Sequence, residues 1–122
     1  MSDDVISKVT IITRREKFAE LRDALYGIGI TGMTITAVEG CGVQQGHIRY
    51  YRGVKEEIRL MPKIKVEMIV CEVPVQAVID AALDTLRTGE IGDGKIFVSE
   101  ELRVVKIRTG DEGRAALENA EE

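Results

Sequence analysis

Two β-α-β cycles, separated by an aperiodic stretch of about 20 residues, limit what this chain can fold into. In the first cycle, Lys8–Thr13 (KVTIIT) is apolar and β-branched, which reads as a strand. Arg15–Tyr26 and the Ile28 that follows place Phe18, Leu21, Leu25 and Ile28 at helical spacing, and Gly27 and Gly29 end the helix. Gly32–Glu39 (GMTITAVE) alternates as a second strand. In the second cycle Lys63–Cys71 (KIKVEMIVC) alternates cleanly. Pro74 opens a helix whose apolar face is Val75, Val78, Ile79, Ala82 and Leu86. A strand over Lys95–Val98 follows. A further strand is expected over Leu102–Arg108, and Asp111–Glu122 reads as a polar, partly helical tail.

This order predicts an α+β chain of the ferredoxin-like, split β-α-β kind, with a long loop and an extra C-terminal strand. Residues 1–122 form one expected domain, long enough to bury a core without staples. Both helices pack on one sheet face, leaving the other open. At this size closed symmetric association is the economical way to cover it. The stretch from Gly40 to about Met61 holds Tyr50, Tyr51, Arg52 and Arg59, which suit partner contact better than chemistry; a disordered insertion is the other reading.

Between the second helix and its strand lies Thr88-Gly89-Glu90-Ile91-Gly92-Asp93-Gly94-Lys95. Glycines allow a turn whose N–H groups form an anion-attracting concavity, and a lysine at its edge adds a full charge. The spacing from Gly89 to Lys95 matches most of the P-loop pattern. It fails at Ile96, where Mg²⁺ coordination needs Ser or Thr, and a strand follows instead of a helix. A plain connection in which glycine serves only geometry is the competing reading.

The net charge of −4 argues against a broad basic surface for nucleic acid or anionic membrane. Cys41 and Cys71 lack CxxC spacing and read as free thiols. With one histidine, His47, there is no metal-site spacing. The N-terminus has no signal-peptide pattern and no segment approaches a membrane span, so the cytoplasm is expected.

Taken together, the segments resemble the P-II nitrogen-regulatory signalling proteins. Gly29–Thr34 resembles the family's approach to its second strand. Gly40–His47, Tyr51-Arg52-Gly53 and Pro62–Glu67 resemble the start, middle and end of its T-loop (about 42–61). Thr88–Val98 resembles the B-loop signature (B-loop about 87–95), and Arg103–Gly110 resembles the C-loop (about 106–114). The similarity runs from about Lys8 to Gly110.

The resemblance implies a trimer that is not an enzyme and binds ATP or ADP in clefts between subunits. Gly92, Asp93, Gly94 and Lys95 stand at the phosphate positions, with Thr88 before them and Gly40 and Gly42 at the T-loop base. Lys106 and Arg108, alternating on the last expected strand, match the C-loop cations, although the family usually has arginine at the first. Gln44 matches the glutamine that holds Mg²⁺ with the ATP phosphates and 2-oxoglutarate. Lys63 matches the lysine that pairs with 2-oxoglutarate, and Thr34 and Glu67 match adenine-side residues. Arg52, beside Tyr51, matches the arginine that blocks ammonium transporters, which makes such a transporter or another nitrogen-metabolism target the implied partner. For most of these positions an ordinary solvated strand face is the alternative.

The chain also departs from the pattern. Val43 replaces an arginine that contacts phosphate, and Glu56 and Val54 replace the tyrosine and serine that are modified in relatives. Besides the coupled sensor, two readings therefore stay open: an adenylate-only sensor without a 2-oxoglutarate response, and a weak nucleotide-dependent ATPase or phosphotransferase. The absence of a carboxylate pair or histidine near the cradle speaks against the enzyme.

Overall fold

The computed structural model describes residues 5–41, 60–101 and 103–118, and the backbone alone at 50–51 and 54–55. Strand β1 (Ser7–Arg14) leads through a 3-10 turn (Arg15–Lys17) into helix α1 (Phe18–Gly27) and strand β2 (Thr34–Gly40). Two-residue strands β3 (Tyr50–Tyr51) and β4 (Val54–Lys55) pair with each other. Strand β5 (Met61–Val70), helix α2 (Val75–Leu86) and strand β6 (Lys95–Glu100) complete the second cycle, and a 3-10 turn (Gly113–Leu117) lies near the end.

The sheet runs β2-β5-β1-β6 with every neighbouring pair antiparallel. The two cycles therefore interleave: β5 lies between the strands of the first, and β1 between those of the second. This is the split β-α-β arrangement expected from the element order. Alternation explains the layers. Along β1, Val9 and Ile11 are buried, as are Ile64, Val66, Met68 and Val70 along β5, while the residues between them are half-buried or, at Ile69, exposed. Leu21 and Leu25 of α1 and Val78, Ala82 and Leu86 of α2 close over that buried face.

The other face carries the alternate residues and has no helix on it. Its rows follow from the register. Arg14 lies beside Lys63, and Lys63 beside Val38. Lys95, Ile12, Lys65 and Thr36 make the next row; Phe97, Thr10, Glu67 and Thr34 make the one after. Arg14, Lys63, Lys65 and Lys95 therefore gather at one end of the open face. The edge strands β2 and β6 leave Ile35, Phe97 and Val98 exposed.

Two expectations need correction. The first helix is α-helical only from Phe18. Arg14 is extended (φ −67°, ψ 137°), no side chain caps the turn, and the Arg15 guanidinium is drawn to the carbonyls of Lys63 and Val38 at 2.9 and 3.0 Å. The second is the C-terminal strand over Leu102–Arg108. The Glu101 amide still donates to the Ile6 carbonyl at 2.8 Å, but among the described residues beyond it only a single bridge, Val105 with Glu112, is formed. Turn bonds from the Lys106 amide to the Asp111 carbonyl and from the Gly110 amide to the Lys106 carbonyl fold the segment back on itself.

Candidate functional site

The glycine loop is built at the end of α2, where the Arg87 amide makes the last helical bond, to the Leu83 carbonyl at 3.1 Å. From there residues 88–94 wrap around the Asp93 side chain. One carboxylate oxygen accepts from the Thr88 hydroxyl (2.5 Å) and from Arg14 Nη1 (2.5 Å). The other accepts from the backbone N–H groups of Thr88 (2.8 Å) and Gly89 (3.0 Å). Four donors on one carboxylate favour its charged form. The Thr88 hydroxyl contributes most, followed by the Thr88 N–H, the Arg14 guanidinium and the Gly89 N–H. Together they outweigh desolvation and hold the Asp93 carboxyl well below the usual carboxylate range.

The loop is also tied to the sheet through its carbonyls. Ile91 O accepts from Arg14 Nη2 at 3.0 Å, Gly92 O from Lys63 Nζ at 2.8 Å, and Asp93 O from the Thr13 hydroxyl at 2.7 Å. Three consecutive carbonyls are thus each bound by a side chain of β1 or β5. Gly94, at φ 111°, brings the chain against β1, where a Cβ would stand 1.9 Å from the Ile12 carbonyl oxygen. No other residue fits there. At Gly92 (φ 107°) a Cβ would come within 3.0 Å of the Arg14 guanidinium, so a side chain would push on that clamp first. Lys95, the first residue of β6, is exposed on the open face.

The other named residues assemble elsewhere. Thr34 of β2 and Glu67 of β5 are register partners, and Glu67 pairs with Lys8 at 3.1 Å. Both line a cavity of about 820 Å³ whose far wall is the C-terminal segment, including Lys106 and Arg108. Lys106 and Arg108 were expected to alternate onto one strand face. That is not the arrangement found: Lys106 is buried and its ammonium donates to the Glu118 carbonyl at 2.9 Å, whereas Arg108 is exposed in the turn. Gly40, at the end of β2, lies against the Lys63 side chain, where a Cβ would stand 3.2 Å from Lys63 Cγ. Gly42, Gln44 and Arg52, along with Val43 and Glu56, lie outside the described residues, and Tyr51 is described by its backbone only.

The candidate residues therefore fall into two groups on one sheet face. Lys63, Thr88, Gly92, Asp93, Gly94 and Lys95 gather at the cationic end. Thr34, Glu67, Lys106 and Arg108 surround the cavity. Lys63 of the first group and Glu67 of the second lie four residues apart on β5, roughly 13 Å. Two residues that organise the loop, Thr13 and Arg14, carry no motif signal, because what they hold lies 80 and 79 positions away. Among the described residues no group of three His, Cys, Asp or Glu side chains could hold a metal, and no helix is long and apolar enough to cross a membrane.

The chain is similar in sequence and fold to known proteins. The profile of the family "Nitrogen regulatory protein P-II" matches residues 6–111. The nitrogen regulatory protein P-II of Klebsiella oxytoca and P-II 1 of Escherichia coli K12 are each 44% identical over 112 residues, which is 92% of this chain and 100% of theirs. The B. subtilis GlnK–ATP complex superposes with a TM-score of 0.80 at 39% identity, covering 96% of this chain and all of that one. B. subtilis GlnK superposes at 0.78 with 45% identity, covering 93% and 99%. The chain belongs to the P-II family of nitrogen regulatory proteins, which are signalling proteins and not enzymes.

Proposed function

We propose that the chain is a cytoplasmic sensor that binds ATP or ADP, with the phosphates on the Thr88–Lys95 loop, and reports nucleotide and 2-oxoglutarate levels to a nitrogen-metabolism target. The observation that carries this reading is the glycine loop anchored at the cationic end of the open face, with Arg14, Lys63 and Lys95 around it. The fit to a nucleotide rests on chemistry: these cations outnumber the single carboxylate of the loop core, and that carboxylate is already saturated by donors. The family neighbour solved as an ATP complex supports the same ligand.

The separation of the two residue groups favours a site shared between copies. One nucleotide would set its phosphates on the loop of one chain and its base beside Thr34 and Glu67 of the next, with Lys106 and Arg108 nearby. The exposed apolar residues of the two edge strands, Phe97 on the open face and Ile35 and Val98 on the opposite one, suit burial in a closed trimer. Mg²⁺ would be held chiefly by phosphate oxygens with Gln44, which suits an ion that keeps few protein ligands. Lys63 would meet a carboxylate of 2-oxoglutarate. Signalling then requires that Mg-ATP with 2-oxoglutarate favour a different state of residues 42–61 than ADP does. Tyr51 and Arg52 would carry that state to an ammonium transporter or another target.

Calorimetric titration of 2-oxoglutarate tests the coupling. Heat of binding in the presence of Mg-ATP and none with ADP is the expected result. Nucleotide binding without any 2-oxoglutarate heat would reduce the protein to an adenylate-only sensor.

A further inference from the structure

We propose that Arg14 is a positioning residue for the phosphate loop: by clamping Asp93 and Ile91 together it holds the loop in its anion-binding shape before any ligand arrives. The inference rests on the nucleotide reading given above, in which Arg14 enters only as one of several cations, and gives it a specific role in that site.

The geometry is that of a two-point clamp. One guanidinium nitrogen of Arg14 binds the Asp93 carboxylate at 2.5 Å and the other binds the Ile91 carbonyl at 3.0 Å, so Gly92 is bracketed between them. Only a planar fork reaches two acceptors this way; a lysine ammonium is a point charge and would hold one firmly. The carboxylate that Arg14 grips is also the hub of the loop. It accepts from Thr88 and Gly89 at the loop's start, five and four positions earlier. Arg14 therefore fixes the start, through Asp93, and the turn, through Ile91, to the end of β1. Lys63 and Thr13 hold the intervening and following carbonyls. Carbonyl oxygens left unbound beside an incoming phosphate would repel it. Here three in a row are drawn toward side chains of the sheet instead, so less reorganisation is left for binding.

Arg14 is partly buried, and its neighbours set what replacement does. Arg14→Ala would free the Ile91 carbonyl and leave Asp93 with only the donors of its own loop. Asp93→Asn would remove the charge that Arg14 grips while keeping the side chain's shape.

The test is ADP titration by calorimetry into the parent, Arg14→Ala, Arg14→Lys, Asp93→Asn and the Arg14→Ala/Asp93→Asn double variant, together with amide hydrogen exchange of each unliganded protein. Loss of a charged hydrogen bond predicts about tenfold weaker ADP binding for Arg14→Ala. Arg14→Lys should recover part of it. The amides of Thr88 and Gly89 should exchange faster in Arg14→Ala while core amides stay protected. If Arg14 acts through Asp93, the double variant should be no weaker than the worse single variant. Losses that multiply in the double variant would make Arg14 a direct ligand contact and overturn the proposal. Unchanged exchange at Thr88 and Gly89 in Arg14→Ala would overturn it as well. A parent that binds no ADP, with exchange still faster in Arg14→Ala, would sink the nucleotide reading and support the clamp.

Discussion

The glycine loop at residues 88–95 and the C-terminal segment at 103–118 are both irregular, yet they are held in opposite ways. The loop is fixed by groups the chain cannot move cheaply: a carboxylate with four donors, three carbonyls bound from the sheet, and Gly94 pressed against the Ile12 carbonyl. The C-terminal segment is held by backbone turn bonds within itself, one bridge, a buried lysine on the Glu118 carbonyl, and the ion pairs Arg103–Glu112 and Arg114–Glu72 at its surface. Exposed ion pairs contribute about 0–1 kcal/mol each. Shape in the loop is thus fixed by side chains of the sheet; shape in the tail is set largely by bonds within the segment.

The contrast can be broken most severely at Gly94. Gly94→Val puts a β-carbon into the Ile12 carbonyl at a positive φ, and we expect a loss of roughly 3–5 kcal/mol in denaturant unfolding. A loss below 1 kcal/mol would mean that the strands do not approach as closely as described.

Lys63→Ala would remove both the proposed 2-oxoglutarate contact and one tie of the loop to β5. It should abolish the 2-oxoglutarate response and weaken ADP by about fivefold, through the lost bond to the Gly92 carbonyl. A retained 2-oxoglutarate response in calorimetry would remove Lys63 from that role.

The pH dependence comes next in size. Because the folded-state pKa of Asp93 is depressed, its contribution is fully present above the ordinary carboxyl range. It is lost only as pH falls below that range toward the depressed value. Exchange protection at Thr88 and Gly89 should therefore be flat, after correction for intrinsic rates, between about pH 5 and 8. A transition within that window would show that Asp93 is not held ionised.

The smallest effect belongs to the tail. Glu112→Ala removes the Arg103 partner and should cost less than about 1 kcal/mol in thermal unfolding. A larger loss would make the tail as firmly built as the loop.

How much of this was legible in the sequence follows the same division. The alternation of KIKVEMIV and the spacing of Phe18, Leu21 and Leu25 are local periodicities, and they mark β5 and α1 because core burial acts on each residue separately. Gly92, Gly94 and Asp93 were visible as a loop for the same reason. Arg14 was not. A charged residue at a strand end has no pattern of its own, and its meaning depends on Asp93, brought beside it by β1–β6 pairing. Leu102–Arg108 shows the reverse failure. Its alternation suits a strand, but a strand also needs a continuous partner, and among the described residues, 103–118 turn back and bridge only at Val105 and Glu112. Lys106 consequently ends buried on a carbonyl, where alternation had set it beside Arg108.

The most direct test of the central claim is calorimetric titration of Mg-ATP and of ADP into the parent and into Gly92→Val. The parent should bind both nucleotides. The variant, with a side chain forced onto the Arg14 clamp at a positive φ, should bind both at least tenfold more weakly, a loss of about 1.4 kcal/mol or more. Equal binding of ATP and ADP by the variant and the parent would show that the phosphates do not rest on this loop.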